Sequence, residues 1–420
     1  MGNFVAIHVL RQYNPGLFNR GDDGTAKQVT IGGINRVRFS SQCQKRAIRE
    51  MMACEEIRTA SIEVLISECL DKYVADGTIT EEEKDVIGEA ICSKGIIGTD
   101  CWKFLKGADG NRNVVTTNAG EITSLVTFFV NYAKENGLED FYFKKKGKDG
   151  KETVDKVKLA KLTALASDEA LKNINASIAK SMFGCMSTDG ALGTIDGAVE
   201  MGQAFSVDEY LVEPDYVSVK YVGRSGANDS DPFFGVYENF TEQQNKKRSS
   251  ETIQSGLPLY SNLMYSYSNV NIKELARNLN MNTSATKYIG NQNVEEIIEK
   301  VVPEYVQAMI QMTPEATQNR SSSHVAPCVV LVEVIKDGEN LQPDWGKVIR
   351  ATEDKSIAEQ AIERLGGFAQ DNTFRSGDIK QYVMISNEYK DLLTEFPEAE
   401  QIKNFKELKE VLKTDVKDMI

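Results

Sequence analysis

The apolar period of this chain changes twice along its length, and that bounds the fold more tightly than any single motif. Residues 4–13, FVAIHVLRQY, alternate with Val5, Ile7 and Val9 on one face, the two-residue repeat of a strand. From residue 51 to 182 the spacing becomes helical, in TASIEVLISECLDKYV, EITSLVTFFVNYAKEN and KLAKLTALASDEALKNINASIAKSMF. Gly-rich turns separate these runs. After Asp196 the strand signals return, in DYVSVKYV (215–222), LPLYSNLMYSYSNVNI (257–272), APCVVLVEVI and IKQYVMIS.

The helical stretch therefore reads as an insertion between strands. Asn271-x-x-Glu274 predicts a capped helix start. VEEIIEKVVPEYVQAMIQ predicts a helix with a kink or break at Pro303, and SIAEQAIERLGGF predicts another. With the insertions removed the order is strand, helix, strand, helix, strand, which suits a ferredoxin-like α+β core.

Charge is segregated. The chain carries −13 in total, yet Met1–Arg49 holds eight cations against Asp22 and Asp23 alone, a local +6. A local electrostatic site needs this kind of separation. The cations concentrate in RVRFSSQCQKRAIRE, residues 36–50. Ser41-x-x-Gln44 reads as a capping box that starts a helix near Gln42. At about 100° per residue, Gln42, Lys45, Arg46 and Arg49 share one arc, and Cys43, Ala47, Met51 and Cys54 the opposite one. The apolar arc is expected to pack on the sheet. Cations at a helix start oppose its dipole, and a bound anion offsets that. Ser40, Ser41 and Gln42 add hydrogen-bond donors for a phosphate.

The string FVAIHVLRQYNPGLFNRGDDGTAKQVTIGGINRVRFSSQCQKRAIR resembles the N-terminus of the CasC family, the backbone subunits of the type I-E CRISPR Cascade complex. Weaker matches follow in FGCM (183–186), IDGAVEMGQAF (195–205), YSNVNIKEL (267–275) and QNRSSSHVAPCVVLV (318–332). The resemblance implies an α+β fold: a modified RRM-like, ferredoxin-like palm with a helical fingers insertion and a β-hairpin thumb. It implies palm segments at 1–50, 183–210 and 259–420, fingers at 51–182 and a thumb at 211–258.

The same resemblance implies that Arg20, Lys27, Ser40, Ser41, Gln42, Lys45, Arg46 and Arg49 hold the guide-RNA backbone, with Met186 against the bases. It places Tyr216 and Val217 at the thumb base, and the thumb also carries Phe233 and Phe234. The lysine-dense segment 144–161 offers Lys144, Lys145, Lys146 and Lys148 to target DNA. Implied partners are crRNA, target double-stranded DNA through an R-loop, other Cascade subunits, and further copies of the same chain, about six along one guide. Departures from the family pattern are Cys185 in place of Arg, Gln203 and Glu209 near positions where the family has histidines, and Tyr216-Val217 where an aromatic pair is expected at the thumb base.

Catalysis is not expected. SSSH (321–324) is a lone histidine beside serines, and no P-loop, GxGxxG or metal-ligand cluster appears. ADGTITEEE (75–83) mimics the end of a calcium loop, but Lys72 and Val74 occupy the first ligand positions, so neither metal nor other cofactor is expected. Two other readings stay open: a type III-like subunit cleaving RNA with Asp22 or Asp23, and a DevR-like DNA-binding regulator. Seven scattered cysteines without a CxxC read as reduced thiols in a cytoplasm. No run of eighteen apolar residues exists to span a membrane.

Overall fold

The computed structural model describes residues 2–21, 25–52, 56–110, 114–146, 152–174, 178–185, 195–211, 213–217, 255–280, 294–314 and 324–420. They form a mixed α+β structure around one nine-stranded, mostly antiparallel sheet. Its strands are β1 (Gly2–Gln12), β2 (Gln28–Ile31), β3 (Ile34–Phe39), β4 (Val199–Met201), β5 (Ala204–Ser206), β6 (Leu263–Asn271), β7 (Val329–Gly338), β8 (Asp378–Ile385) and β9 (Glu400–Gln401). The order is β9-β8-β7-β1-β6-β5-β3-β2, with β4 also on β6, and only β8–β9 is parallel.

β1 lies at the centre because it is apolar on both faces. Ile7 stands opposite Ser268 of β6 and Val332 of β7. Val5, Ile7 and Val9 enter one core with helices α7 (Ile272–Asn280), α8 (Val294–Gln311) and α10 (Phe405–Lys417). Ala6 and Leu10 enter a second core under α9 (Ile357–Gln370). His8 shares that second face, fully buried, between Tyr265 Oη at 2.9 Å and Glu333 Oε2 at 3.2 Å. Arg375 and Gln381 complete this polar cluster on Glu333, at 2.8 and 2.9 Å.

The segment between β3 and β4 opens with α1 (Ser41–Met51). The main helices after it are α2 (Ile62–Ala75), α3 (Glu81–Ile91), α4 (Ala119–Asn136), α5 (Lys156–Ile174) and α6 (Ile178–Phe183). Helices α2 to α5 build a core of their own around Ile66, Leu70, Val126 and Phe129. Trp102 fits there because Gly88 has no side chain; a Cβ would meet its ring at 2.3 Å. A buried ion pair, Lys180 Nζ to Glu121 Oε2 at 2.5 Å, ties α6 to α4.

Three expectations about local structure change. α8 runs unbroken through Pro303. Its neighbours Val302 and Tyr305 are buried, so packing carries the helix past one missing rung. Segment 257–272 splits into a strand Ser255–Leu259 and β6. The first of these pairs with Glu213–Val217, Tyr216 facing Gly256 and Val217 facing Ser255. The Asn271 cap forms, since its Oδ1 accepts from Glu274 N–H at 3.0 Å, but the Glu274 carboxylate turns to Arg277 instead of reaching back. Among the described residues no helix is long and apolar enough to cross a membrane.

Candidate nucleic-acid interface

The start of α1 is set one residue earlier than the sequence spacing suggests. Ser40 is extended, and its Oγ accepts from Cys43 N–H at 3.3 Å. Gln44 does not reach back to cap; its amide donates to Gly202 O at 3.1 Å. The buried line of α1 is accordingly Gln44 and Ile48. The expected apolar arc is only half-buried at Cys43 and Ala47, and Met51 is 46% exposed. Gln44 wins the inner position because a carbonyl in the distant turn between β4 and β5 awaits its amide.

That rotation sorts the cations. Arg36 is fully buried, donating to Ser206 O, Val207 O and Gly346 O at 3.3, 3.4 and 3.3 Å. Arg38, two residues on, reaches Gln203 Oε1 at 2.8 Å, and Gln203 Nε2 reaches Ser41 Oγ at 3.3 Å. Lys45 bends inward to Val199 O at 3.1 Å, and burial lowers its pKa, with Arg49 adding to the effect. Arg49 sits 5.6 Å over the Phe183 ring. Arg46 projects outward with Glu50, 2.8 Å apart, and Gln42 is exposed.

The loop before β2 folds back onto the same corner. Asn19 adopts φ of 44°, a left-handed backbone that asparagine tolerates. Its Oδ1 accepts from Ser40 N–H at 2.7 Å, and its carbonyl accepts from Lys27 N–H at 3.2 Å. Arg20 pairs with Ala26 as an isolated bridge, and Arg38 N–H donates to Lys27 O at 2.8 Å. Arg20, Lys27, Arg38, Ser40, Ser41 and Gln42 therefore gather around the positive end of α1. Its first turn holds no acidic residue. Lys45 and Arg49 belong to the neighbouring edge, toward β4 and α6.

The motif strings FGCM and IDGAVEMGQAF, separated by eight residues, meet beside this corner. Cys185 and Ile195 exchange backbone hydrogen bonds at 2.9 and 2.8 Å. Gly197 packs so closely on Phe183 and Gly184 that a Cβ would fall 2.5 Å from their backbone. Arg38, Gln203 and Asn19 are the residues that spacing arguments leave out. The alternation of Arg36 with Arg38 is the signal for the first; the partners of the other two are visible only in three dimensions.

Several proposed contacts stand elsewhere. Lys144 is held between Glu89 and Asp100, at 3.0 and 3.1 Å. Lys145 and Lys146 lie in a small ribbon opposite Thr153 and Glu152. Met186, Lys148, Phe233, Phe234, Asp22 and Asp23 lie outside the described residues. In the calcium-like stretch, Glu83 caps Thr80 N–H at 2.7 Å and Asp76 accepts from Thr78 N–H at 2.9 Å, which commits both carboxylates locally. His324 is exposed. No cluster of three His, Cys, Asp or Glu suited to a metal occurs among the described residues.

The family described as CT1975-like protein matches residues 5–220 and 226–412. Among solved structures, a chain titled "CRISPR RNA-guided surveillance complex, pre-nicking" is similar, with a TM-score of 0.65, 18% identity, and coverage of 99% of this chain and 100% of that one. A second, titled "CRISPR RNA-guided surveillance complex", has a TM-score of 0.61, 17% identity, and coverage of 98% and 99%. No curated protein matches.

Proposed function

The chain belongs to the CT1975-like protein family, and from that premise we propose that it is a guide-RNA-binding backbone subunit of a CRISPR surveillance complex. The fold likeness to chains of such complexes, end to end, supports this reading. The observation that carries it is the corner where Arg20, Lys27, Arg38 and the acid-free first turn of α1 converge. Fixed donors and cations at a helix N-terminus suit a phosphate group. A guide must be held without being read, since pairing does the reading, so backbone contacts suffice.

In finer detail, the proposed complex is of the type I-E kind. The palm is RRM-like, a description supported by the antiparallel order β7-β1-β6-β5 with helices between. The helices of 51–182 act as fingers, and the ribbon Glu213–Val217/Ser255–Leu259 is the root of the thumb. Copies stack head to tail along the spacer and present it to target DNA beside other subunits, in the cytoplasm. The role is non-catalytic. Arg49 joins the phosphate site by exchanging the Phe183 ring for RNA, and Lys45 joins it in part, sharing its ammonium between Val199 O and the RNA.

The direct test is to purify the tagged chain from its host and sequence the RNA it carries. Spacer-containing guides of defined length support the proposal. Bulk RNA without spacers, or none, overturns it.

A further inference from the structure

The ribbon Glu213–Val217/Ser255–Leu259 joins the sheet through two short connections. Asp208 stands on the outgoing one and Asn262 on the returning one. Asn262 Nδ2 donates to Asp208 Oδ2 at 2.9 Å and to Glu209 O at 3.1 Å. Both amide protons are thus committed to oxygens, which fixes the orientation of the amide. That leaves Asn262 Oδ1 and Asp208 Oδ1, both buried, without a hydrogen bond of good geometry, although the backbone N–H groups of Asp208 and Leu263 still draw on the carboxylate. The two residues are only 3% and 9% exposed, and buried acceptors of this kind are seldom left unmatched.

The surrounding charges do not repair this. Arg36 of β3 acts on Asp208, but its hydrogen bonds go to the carbonyls of Ser206, Val207 and Gly346. Arg364 of α9 acts on Arg36, and Arg350 pairs with Glu209 at 3.1 Å. Burial pushes the Asp208 carboxyl up to about 6, against the pull of Asn262, the Leu263 backbone and Arg36. A carboxylic acid beside a primary amide has a well-matched alternative, in which each donates once and accepts once.

We propose that Asp208 and Asn262 form a protonation-dependent latch at the root of this ribbon. Protonated, Asp208 donates from Oδ1 to Asn262 Oδ1 and closes a two-bond acid–amide pair. Ionised, it leaves both Oδ1 atoms buried without a hydrogen bond, and the root opens more readily. The proton comes from and returns to solvent, so no other reactant is needed. The folded value lies above the ordinary 3.8, so the latch is tightest in acid and weakens as pH rises through about 6. The idea concerns this chain without RNA and stands apart from the guide-binding reading.

The test is amide hydrogen exchange on the full chain, with labelling times corrected for intrinsic pH dependence. If opening exposes Asp208 to water, protection of residues 213–217 and 255–263 falls about tenfold from about pH 5 to about pH 7. Helix α9 serves as the internal control and stays level. Asp208→Asn, which keeps a donor at every pH, removes the pH dependence at the root. As a measurement on the unaltered chain, carboxyl-carbon NMR with labelled aspartate shows one side chain titrating near pH 6. A root whose protection ignores pH, a D208N chain with the same slope as wild type, or the absence of such a titration overturns the latch.

Discussion

Asn19 Oδ1 accepts the backbone N–H of Ser40 at 2.7 Å, joining the loop that carries Arg20 and Lys27 to the residue that caps α1. One short side chain thereby sets the spacing between two groups of cations. The left-handed backbone of Asn19 is part of the same device, because it turns the loop back over the helix start.

Asn19→Ala removes that acceptor and leaves a residue with no compensating hydrogen bond at positive φ. The expected loss is about 1–3 kcal/mol of stability, read from denaturant unfolding. Affinity for single-stranded RNA falls as well, while β1 and its pairing remain intact by circular dichroism. Unchanged RNA affinity would separate the loop from the interface.

Arg20→Ala combined with Arg46→Ala removes two outward cations. The log–log salt dependence of RNA binding flattens by about 0.7 for each phosphate that is no longer neutralised. Lys45→Ala gives a smaller change, since the lysine already donates to Val199 O. Equal effects from Lys45 and Arg20 would mean that Lys45 leaves its internal partner fully on binding.

Incubation of the RNA-loaded protein with complementary RNA and divalent metal yields no cuts. Periodic cleavage that disappears in Asp22→Ala or Asp23→Ala would move the chain to the cleaving class.

The Glu333 carboxyl is buried, which alone would raise its pKa, yet His8 and Arg375 hold it down at about 2. A group depressed from its ordinary 4.5 contributes stability above that pH and loses it as pH falls through about 2. Glu333→Gln leaves Arg375 buried without its carboxylate and costs about 3–5 kcal/mol. Acid titration followed by tryptophan fluorescence shows the variant unfolding at lower denaturant at neutral pH, with the difference shrinking in acid.

Lys180→Met breaks the buried pair with Glu121 and costs a similar amount, about 3–5 kcal/mol. The loss appears as proteolysis between α4 and α6, with the large sheet still protected. Uniform destabilisation of the whole chain would show that the helical segment and the sheet unfold together.

The local elements follow from residue order along the chain. The alternation of Val5, Ile7 and Val9 made β1 a strand, and the helical spacing of 51–182 made an insertion, because these periods follow from backbone geometry alone. The basic string from Arg36 to Arg49 announced where charge gathers. Tertiary structure decided which of those cations face outward. Arg36 sank against three carbonyls, and Lys45 turned to Val199 O, a partner 154 residues away. Gln44 rather than Cys43 took the inner face of α1 because Gly202 O lay within reach. Gln203, met in the sequence as a departure from the family pattern, became the bridge between Arg38 and Ser41. Periodicity is a property of neighbours along the chain, whereas an arginine is buried or free according to which acceptors a distant strand brings beside it.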